Sequence, residues 1–138
     1  MNFQLHPTLE KDCMTVGNFA LCRLLMMNDS RFPWFILVPQ LSGIKEIYQL
    51  NRQQRHQLTD ESCYLAEQLA HLYQADKMNI AAIGNIVPQL HVHHIVRHQT
   101  DSAWPAPVWG NFDPTPYTAD AIGAQLTRLR AQLKLNAR

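Results

Sequence analysis

The sequence predicts an α+β fold, an antiparallel sheet with helices set against it. Three observations carry this. Apolar runs of strand length occupy Val16–Met27 and Trp34–Val38. A helical stripe of leucines follows them. Two further strand-like runs, Asn79–Ile83 and Gln89–Arg97, come after that stripe. Strands, a long helix after the second strand, strands again and a C-terminal helix is the order of a sheet with its helices segregated.

The elements are justified in chain order. Residues 1–15 carry no clear period. Val16–Met27 is apolar apart from Arg23 and reads as one buried strand, closed by the turn cluster Asn28-Asp29-Ser30. Trp34–Val38 is a second strand stopped by Pro39. Leu41–Leu50 is a connector, with a helical turn expected around Ile44–Ile47. Asn51 is a helix N-cap, and Gln54 three residues later completes a capping box. Leu58, Leu65, Leu69 and Leu72 lie at spacings of seven, four and three, which predicts an amphipathic helix from about Arg52 to Ala75. Asn79–Ile83 is a third strand. Gly84–Pro88 is a loop or a distorted strand start, since proline cannot donate to a ladder. Gln89–Arg97 is the fourth strand. Residues 98–117 are irregular and rich in proline and tryptophan. Two tryptophans in such a stretch argue for packing against the domain over a solvated linker. Thr118 caps a last helix whose stripe is Ile122, Leu126, Leu129 and Leu133.

A chain of 138 residues makes one domain, with a core at about 16–98 and a loop plus C-terminal helix over 99–138. With 46% hydrophobic and 17% charged residues, the composition is that of a soluble globular protein. A formal net charge of +1 provides no basic field, so nucleic acid is not an expected partner. No apolar stretch is long enough to span a membrane. Met1-Asn2-Phe3-Gln4-Leu5-His6 has no charged segment leading into an apolar one, so a cytoplasmic location is expected. Cys13, Cys22 and Cys63 lack metal-type spacing and read as reduced thiols.

The run Gln89-Leu90-His91-Val92-His93-His94-Ile95-Val96-Arg97 is where chemistry concentrates. Side chains alternate along a strand. Gln89, His91, His93, Ile95 and Arg97 therefore share one face, and Leu90, Val92, His94 and Val96 the other. One face is mostly aliphatic, while the other carries two imidazoles and an amide in a row, as the floor of a site does. Imidazole serves as nucleophile, proton carrier or metal ligand. A nucleophilic imidazole must be neutral, with one ring nitrogen fixed as N–H and donors around the developing charge. The backbone N–H groups of Gly84 and Asn85 and the Asn85 amide suit that last task. Alternatively His91 and His93 share a metal ion, with His98 or a distant carboxylate. No second ligand cluster supports that, and no metal is expected.

This run resembles the signature of the histidine triad (HIT) superfamily of nucleotide hydrolases and transferases, three histidines alternating with apolar residues and often followed by arginine. Aligned on Arg97, the three positions fall on Gln89, His91 and His93, so Gln89 stands in place of the first histidine. Phe35-Ile36-Leu37-Val38-Pro39 resembles the family's strand of aliphatics ending in proline, whereas the Gly-His pair that often precedes it is replaced by Pro33-Trp34. The resemblance spans roughly Phe19 to Arg97.

It implies the HIT fold, a homodimer and attack on the α-phosphate of a nucleotide substrate by His91. The product is a nucleoside monophosphate, released from a nucleotidyl-histidine intermediate. Candidate substrates are dinucleoside polyphosphates, diadenosine polyphosphate among them, and nucleoside phosphoramidates. It further implies that His93 holds phosphate, that Asn85 takes the place of a phosphate-binding Gln, and that Asn28 lies where the family keeps a ribose-binding residue. No cofactor is required for the His91 step, although a divalent cation can accompany a polyphosphate. An amide carries no proton at neutral pH, so Gln89 predicts good leaving groups, a slower enzyme, or a nucleotide-binding module without turnover. Arg97 either binds substrate or caps the strand in solvent. Asn28 is either a ribose ligand or a turn former. Trp104 and Trp109 either pack or wall the pocket. His94, on the opposite face, is expected in the core.

Overall fold

The computed structural model describes residues 2–110 and 113–136. Chain order is α1 (Pro7–Asp12), β1 (Cys13–Asn18), β2 (Cys22–Met27), β3 (Trp34–Pro39), a 3-10 turn (Ile47–Gln49), α2 (Arg52–Tyr73), β4 (Lys77–Ala81), β5 (Val92–Arg97) and α3 (Ala119–Gln132). The strands form one antiparallel sheet in the order β1-β2-β3-β5-β4. The α+β class is as the sequence predicts.

Several elements differ from expectation. The run Val16–Met27 is not one strand but two, folded into a hairpin that pairs Cys13 with Met27 and Asn18 with Arg23. The long helix consequently follows the third strand. The hairpin turn has a long-range cause. Glu61 on α2 accepts hydrogen bonds from the N–H groups of Leu21 (2.8 Å) and Cys22 (2.9 Å). Residues 7–12, without period in the sequence, form α1. Pro7 sits in its first turn, and the His6 side chain caps it. The 3-10 turn lies three residues later than expected, β4 begins two residues earlier, and β5 begins at Val92. The capping box of Asn51 and Gln54 forms as read. α2 ends at Tyr73 because Gln74 adopts the left-handed conformation.

The sheet is covered on both faces. One face packs against α2 and α3 through Leu24, Met26, Phe35, Leu37, Val92 and Val96, with Leu58, Leu65, Leu69, Leu129 and Leu133 opposite. The other carries Leu25, Trp34, Ile36, Val38 and Ile95 under Leu9, Phe32, Val87, Ala103 and Val108. The histidine-bearing face is thus no open floor. It is roofed by α1, by the loop before β5 and by the tryptophan-rich segment. Among the described residues no helix is long and apolar enough to cross a membrane.

Candidate active site

All six residues of β5 are buried. The alternation read from the sequence extends back into the preceding loop: Leu90 joins the helix-side core, while Gln89 and His91 line a cleft of about 600 Å³. The cleft runs between the segment 82–91 and the connector ahead of α2, which contributes Lys45, Glu46, Ile47 and Tyr48. Arg55 of α2 also lines it. The Leu90 N–H donates to the Ile44 carbonyl at 2.9 Å and so joins the two walls. Gly84 makes the tightest point of the loop. A Cβ there would meet the Val87 carbonyl oxygen at 3.0 Å.

His91 has the arrangement a nucleophilic imidazole needs. Its Nδ1 lies 2.7 Å from the Gln89 carbonyl oxygen. A carbonyl only accepts, so Nδ1 carries the proton and Nε2 keeps its lone pair. Burial favours the neutral ring and holds its pKa below the ordinary histidine value. The Gln89 carbonyl opposes this, and the charge of a nearby histidine, His6, adds to it.

His93 stands beside it, ring centroids 4.9 Å apart. Its Nδ1 accepts the indole N–H of Trp34 at 2.9 Å, which leaves the neutral ring's proton on Nε2. Burial, then the charges of His91 and His94, push it down to about 3, with the Ile83 carbonyl partly opposing. With Nδ1 committed to Trp34, His93 packs its ring against that of His91. Trp109 closes the cluster, its ring 5.1 Å from His93 and 6.0 Å from Trp34. The tryptophan-rich segment therefore packs onto the site strand. The sequence noted Pro33-Trp34 only as the replacement for the family's Gly-His pair; the bond from Trp34 to His93 was not read from it.

Gln89 is wholly occupied. Its Oε1 accepts the His6 N–H, and its Nε2 donates to the Gln4 carbonyl, both at 2.9 Å. Asn85 lines the cleft with His91. Asn28 does not reach the cleft lining. It lies beyond the far end of β2, and its Oδ1 accepts the Tyr117 N–H at 2.9 Å. Arg97 needs correction on both of its readings. It neither caps the strand in solvent nor lines the cleft. It is 1% exposed, and its guanidinium is spent on Asp101, Asn79 and the Ala106 carbonyl. Facing the same side as the histidines is not reaching the same pocket. Arg97 also lies over the rings of Phe32 and Trp104, 5.8 and 5.6 Å from their centroids. On the opposite face, buried His94 bonds the Ser62 hydroxyl at 2.6 Å and the Val92 carbonyl at 3.0 Å. Among the described residues no group of three or more histidines, cysteines and carboxylates comes together to hold a metal.

The comparisons with known proteins bear on this constellation. The HIT domain family model matches residues 8–100. The chain belongs to the HIT family. It is similar to three solved histidine triad proteins. One, from Marinobacter aquaeolei, is 50% identical over 96% of this chain and 97% of its own, with a TM-score of 0.94. One from Sinorhizobium meliloti is 41% identical over 95% and 97%, and one from Bradyrhizobium japonicum 38% over 96% and 98%, each with a TM-score of 0.92. A comparison with curated proteins gives no match. HIT proteins as a family are nucleotide-binding hydrolases and transferases, and this chain has their fold.

Proposed function

We propose that this HIT protein hydrolyses a nucleotide derivative at its α-phosphate, through a covalent nucleotidyl-His91 intermediate, and releases a nucleoside monophosphate. The observation that carries the reading is the 2.7 Å bond from His91 Nδ1–H to the Gln89 carbonyl. It reserves the Nε2 lone pair on a buried, neutral ring. In the first step Nε2 forms a bond to phosphorus, and the bond from phosphorus to the leaving group breaks with its electron pair going to that group. In the second, a water oxygen attacks phosphorus, the N–P bond returns its pair to Nε2, and the water proton passes to solvent. The Asn85 amide and the loop N–H groups offer donors to the phosphoryl oxygens.

The leaving group is the finer question. An amine leaving from a phosphoramidate needs a proton, and the Gln89 amide has none to give. A polyphosphate leaves as a stable anion, and Lys45 and Arg55 line the same cleft. A dinucleoside polyphosphate is therefore the favoured substrate, with phosphoramidates second. The His91 step needs no cofactor, and a divalent cation can accompany the polyphosphate. Two copies of the chain are proposed to associate through the edge strand β4, where Ile80 is 49% exposed. Three free cysteines suit a cytoplasmic enzyme.

The test is a turnover screen of the protein and its His91→Ala variant with both substrate classes, following monophosphate release by chromatography. Release by the parent alone supports the reading. Monophosphate binding without release by either protein would replace it with a nucleotide-binding module.

A further inference from the structure

Exposed apolar side chains are ordinary when scattered and informative when gathered. Among the described residues the large ones are Ile47, Tyr48, Ile80, Ile83 and Ile86. All but Ile80 lie on the two walls of the cleft that holds His91. Ile47, Tyr48 and Ile83 line it directly, and Ile86 stands in the loop between Asn85 and Pro88, which line it too. Tyr48 is 78% exposed and Ile86 89%. The wall that carries Tyr48 is braced. The Gln49 amide oxygen accepts the N–H groups of Lys45 at 2.8 Å and Glu46 at 2.9 Å, and buried Leu50 anchors the end of the 3-10 turn. A flat ring displayed on a fixed turn offers contact area at low conformational-entropy cost.

We propose that Tyr48 stacks on the base of a second nucleoside, the one carried by the leaving group, and so makes the site selective for dinucleoside over mononucleoside polyphosphates. The inference rests on the hydrolase reading and deepens it. The same cleft brings together three kinds of group. His91 supplies the imidazole, Lys45 and Arg55 supply two positive charges against the one carboxylate of Glu46, and Tyr48 and the isoleucines supply apolar surface. A dinucleoside polyphosphate has a part for each: a phosphorus for His91, bridging phosphates for the cations and a second flat base for the ring. A mononucleoside polyphosphate leaves the apolar walls uncovered. The cleft volume of about 600 Å³ is that of a small-molecule site. Attack at the α-phosphate of the first nucleotide releases the second as a nucleoside polyphosphate, and its base is the group on Tyr48. Every base has a π-face, so this subsite takes purines and pyrimidines alike.

The experiment compares diadenosine tetraphosphate with adenosine tetraphosphate, and the matching guanine pair, on the parent, Tyr48→Ala and Tyr48→Phe. The two compounds of a pair differ only in the second nucleoside. The parent is expected to prefer the dinucleoside in kcat/KM by at least about tenfold, the scale of one base stacked on an aromatic ring. Tyr48→Ala should bring that ratio close to one through a higher KM for the dinucleoside, while Tyr48→Phe should keep it. Binding held equally in ground and transition states changes KM and spares kcat. The same ratio is read as dissociation constants by calorimetry in the His91→Ala background, where turnover does not intervene. If the parent turns over neither compound the hydrolase reading falls, and the ratio of dissociation constants still decides the subsite. A ratio near one in the parent, or one that survives Tyr48→Ala, would overturn the proposal. So would a change of oligomeric state in Tyr48→Ala with the ratio intact, which would make the apolar walls a contact between copies of the chain.

Discussion

The two faces of β5 each bury a histidine, and only one face belongs to the site. His94 looks toward α2 with both ring nitrogens engaged, one by Ser62 and one by the Val92 carbonyl. His91 looks toward the cleft with, among the described residues, only Nδ1 engaged. Both rings are held neutral by burial, and His94 is pushed down to about 4. A depressed pKa therefore does not separate the proposed nucleophile from the structural histidine. What separates them is the number of ring nitrogens left for a substrate. His93 falls between the two, with Nδ1 spent on Trp34 and a place beside His91.

The largest expected effect breaks the comparison directly. His91→Ala should lower turnover by at least about 10³-fold, equivalent to about 4 kcal/mol of barrier, with the fold intact by circular dichroism. His94→Ala, measured alongside, should lose stability but keep measurable turnover. Equal losses of turnover per folded molecule would mean that the two faces are not functionally distinct.

Arg97 extends the test along the site face. Its ion pair with Asp101 is 2.8 Å long and buried on both sides. Arg97→Met strands the Asp101 carboxylate and should cost about 3–5 kcal/mol in denaturant unfolding. Any activity surviving in the folded fraction should show a near-normal KM, because the guanidinium does not line the cleft.

Acid tests both faces at once. Unfolded histidines titrate near 6.5, whereas folded His94 and His93 refuse protons until about 4 and about 3. The unfolded chain binds more protons in that window, so stability falls as pH drops through it. At its steepest the slope is roughly 3 kcal/mol per pH unit for the two rings. Asp101 responds to opposing influences: burial pulls it up, but bonds from Arg97 and the loop N–H groups win and hold it at about 2. Its contribution is present above the ordinary carboxylate range and is lost only below it. Urea unfolding at pH 7, 5.5 and 4.5 reads the histidine part alone. A flat profile would contradict neutral burial of both rings.

Smaller effects sharpen the contrast. Ser62→Ala leaves His94 Nε2 buried without its partner and should cost about 1–3 kcal/mol, with little change in KM. Trp34→Phe removes the donor to His93 Nδ1 and should cost about 1 kcal/mol. Its clearer signature is kinetic: His93 is freed to change tautomer beside the nucleophile, so kcat falls while KM holds.

Much of this was legible in the sequence because it is local. The capping box at Asn51, the leucine stripe of α2 and the alternation of β5 are written within a few residues of where they act. That alternation correctly assigned His91 to the cleft and His94 to the core. The hairpin was not legible. Phe19-Ala20-Leu21 contains no glycine or proline, and its turn is completed by a carboxylate forty residues away. Helix α1 was missed because histidine is an uncommon cap. Arg97 was misread because face and depth are different things: alternation gives the face, and only the packed Asp101 loop shows that the side chain is sealed. The bonds from the Gln89 side chain to the backbone of Gln4 and His6 join positions too distant for any local pattern to announce.

One feature of α2 reaches beyond the site. Glu61 and Ser62 are neighbours on the helix, yet Glu61 holds the turn between β1 and β2 and Ser62 holds His94 on β5. For an unfolded chain, bringing the first hairpin to β5 directly would close a single long loop. Through the helix the same approach divides into closures of 40 and 32 residues. Halving a loop saves only about 0.6 kcal/mol of closure entropy, so the gain lies less in stability than in order of assembly. A helix forms locally and fast. Once formed, it can gather the first hairpin and the histidine strand from opposite directions in the chain, with adjacent side chains marking where each should land.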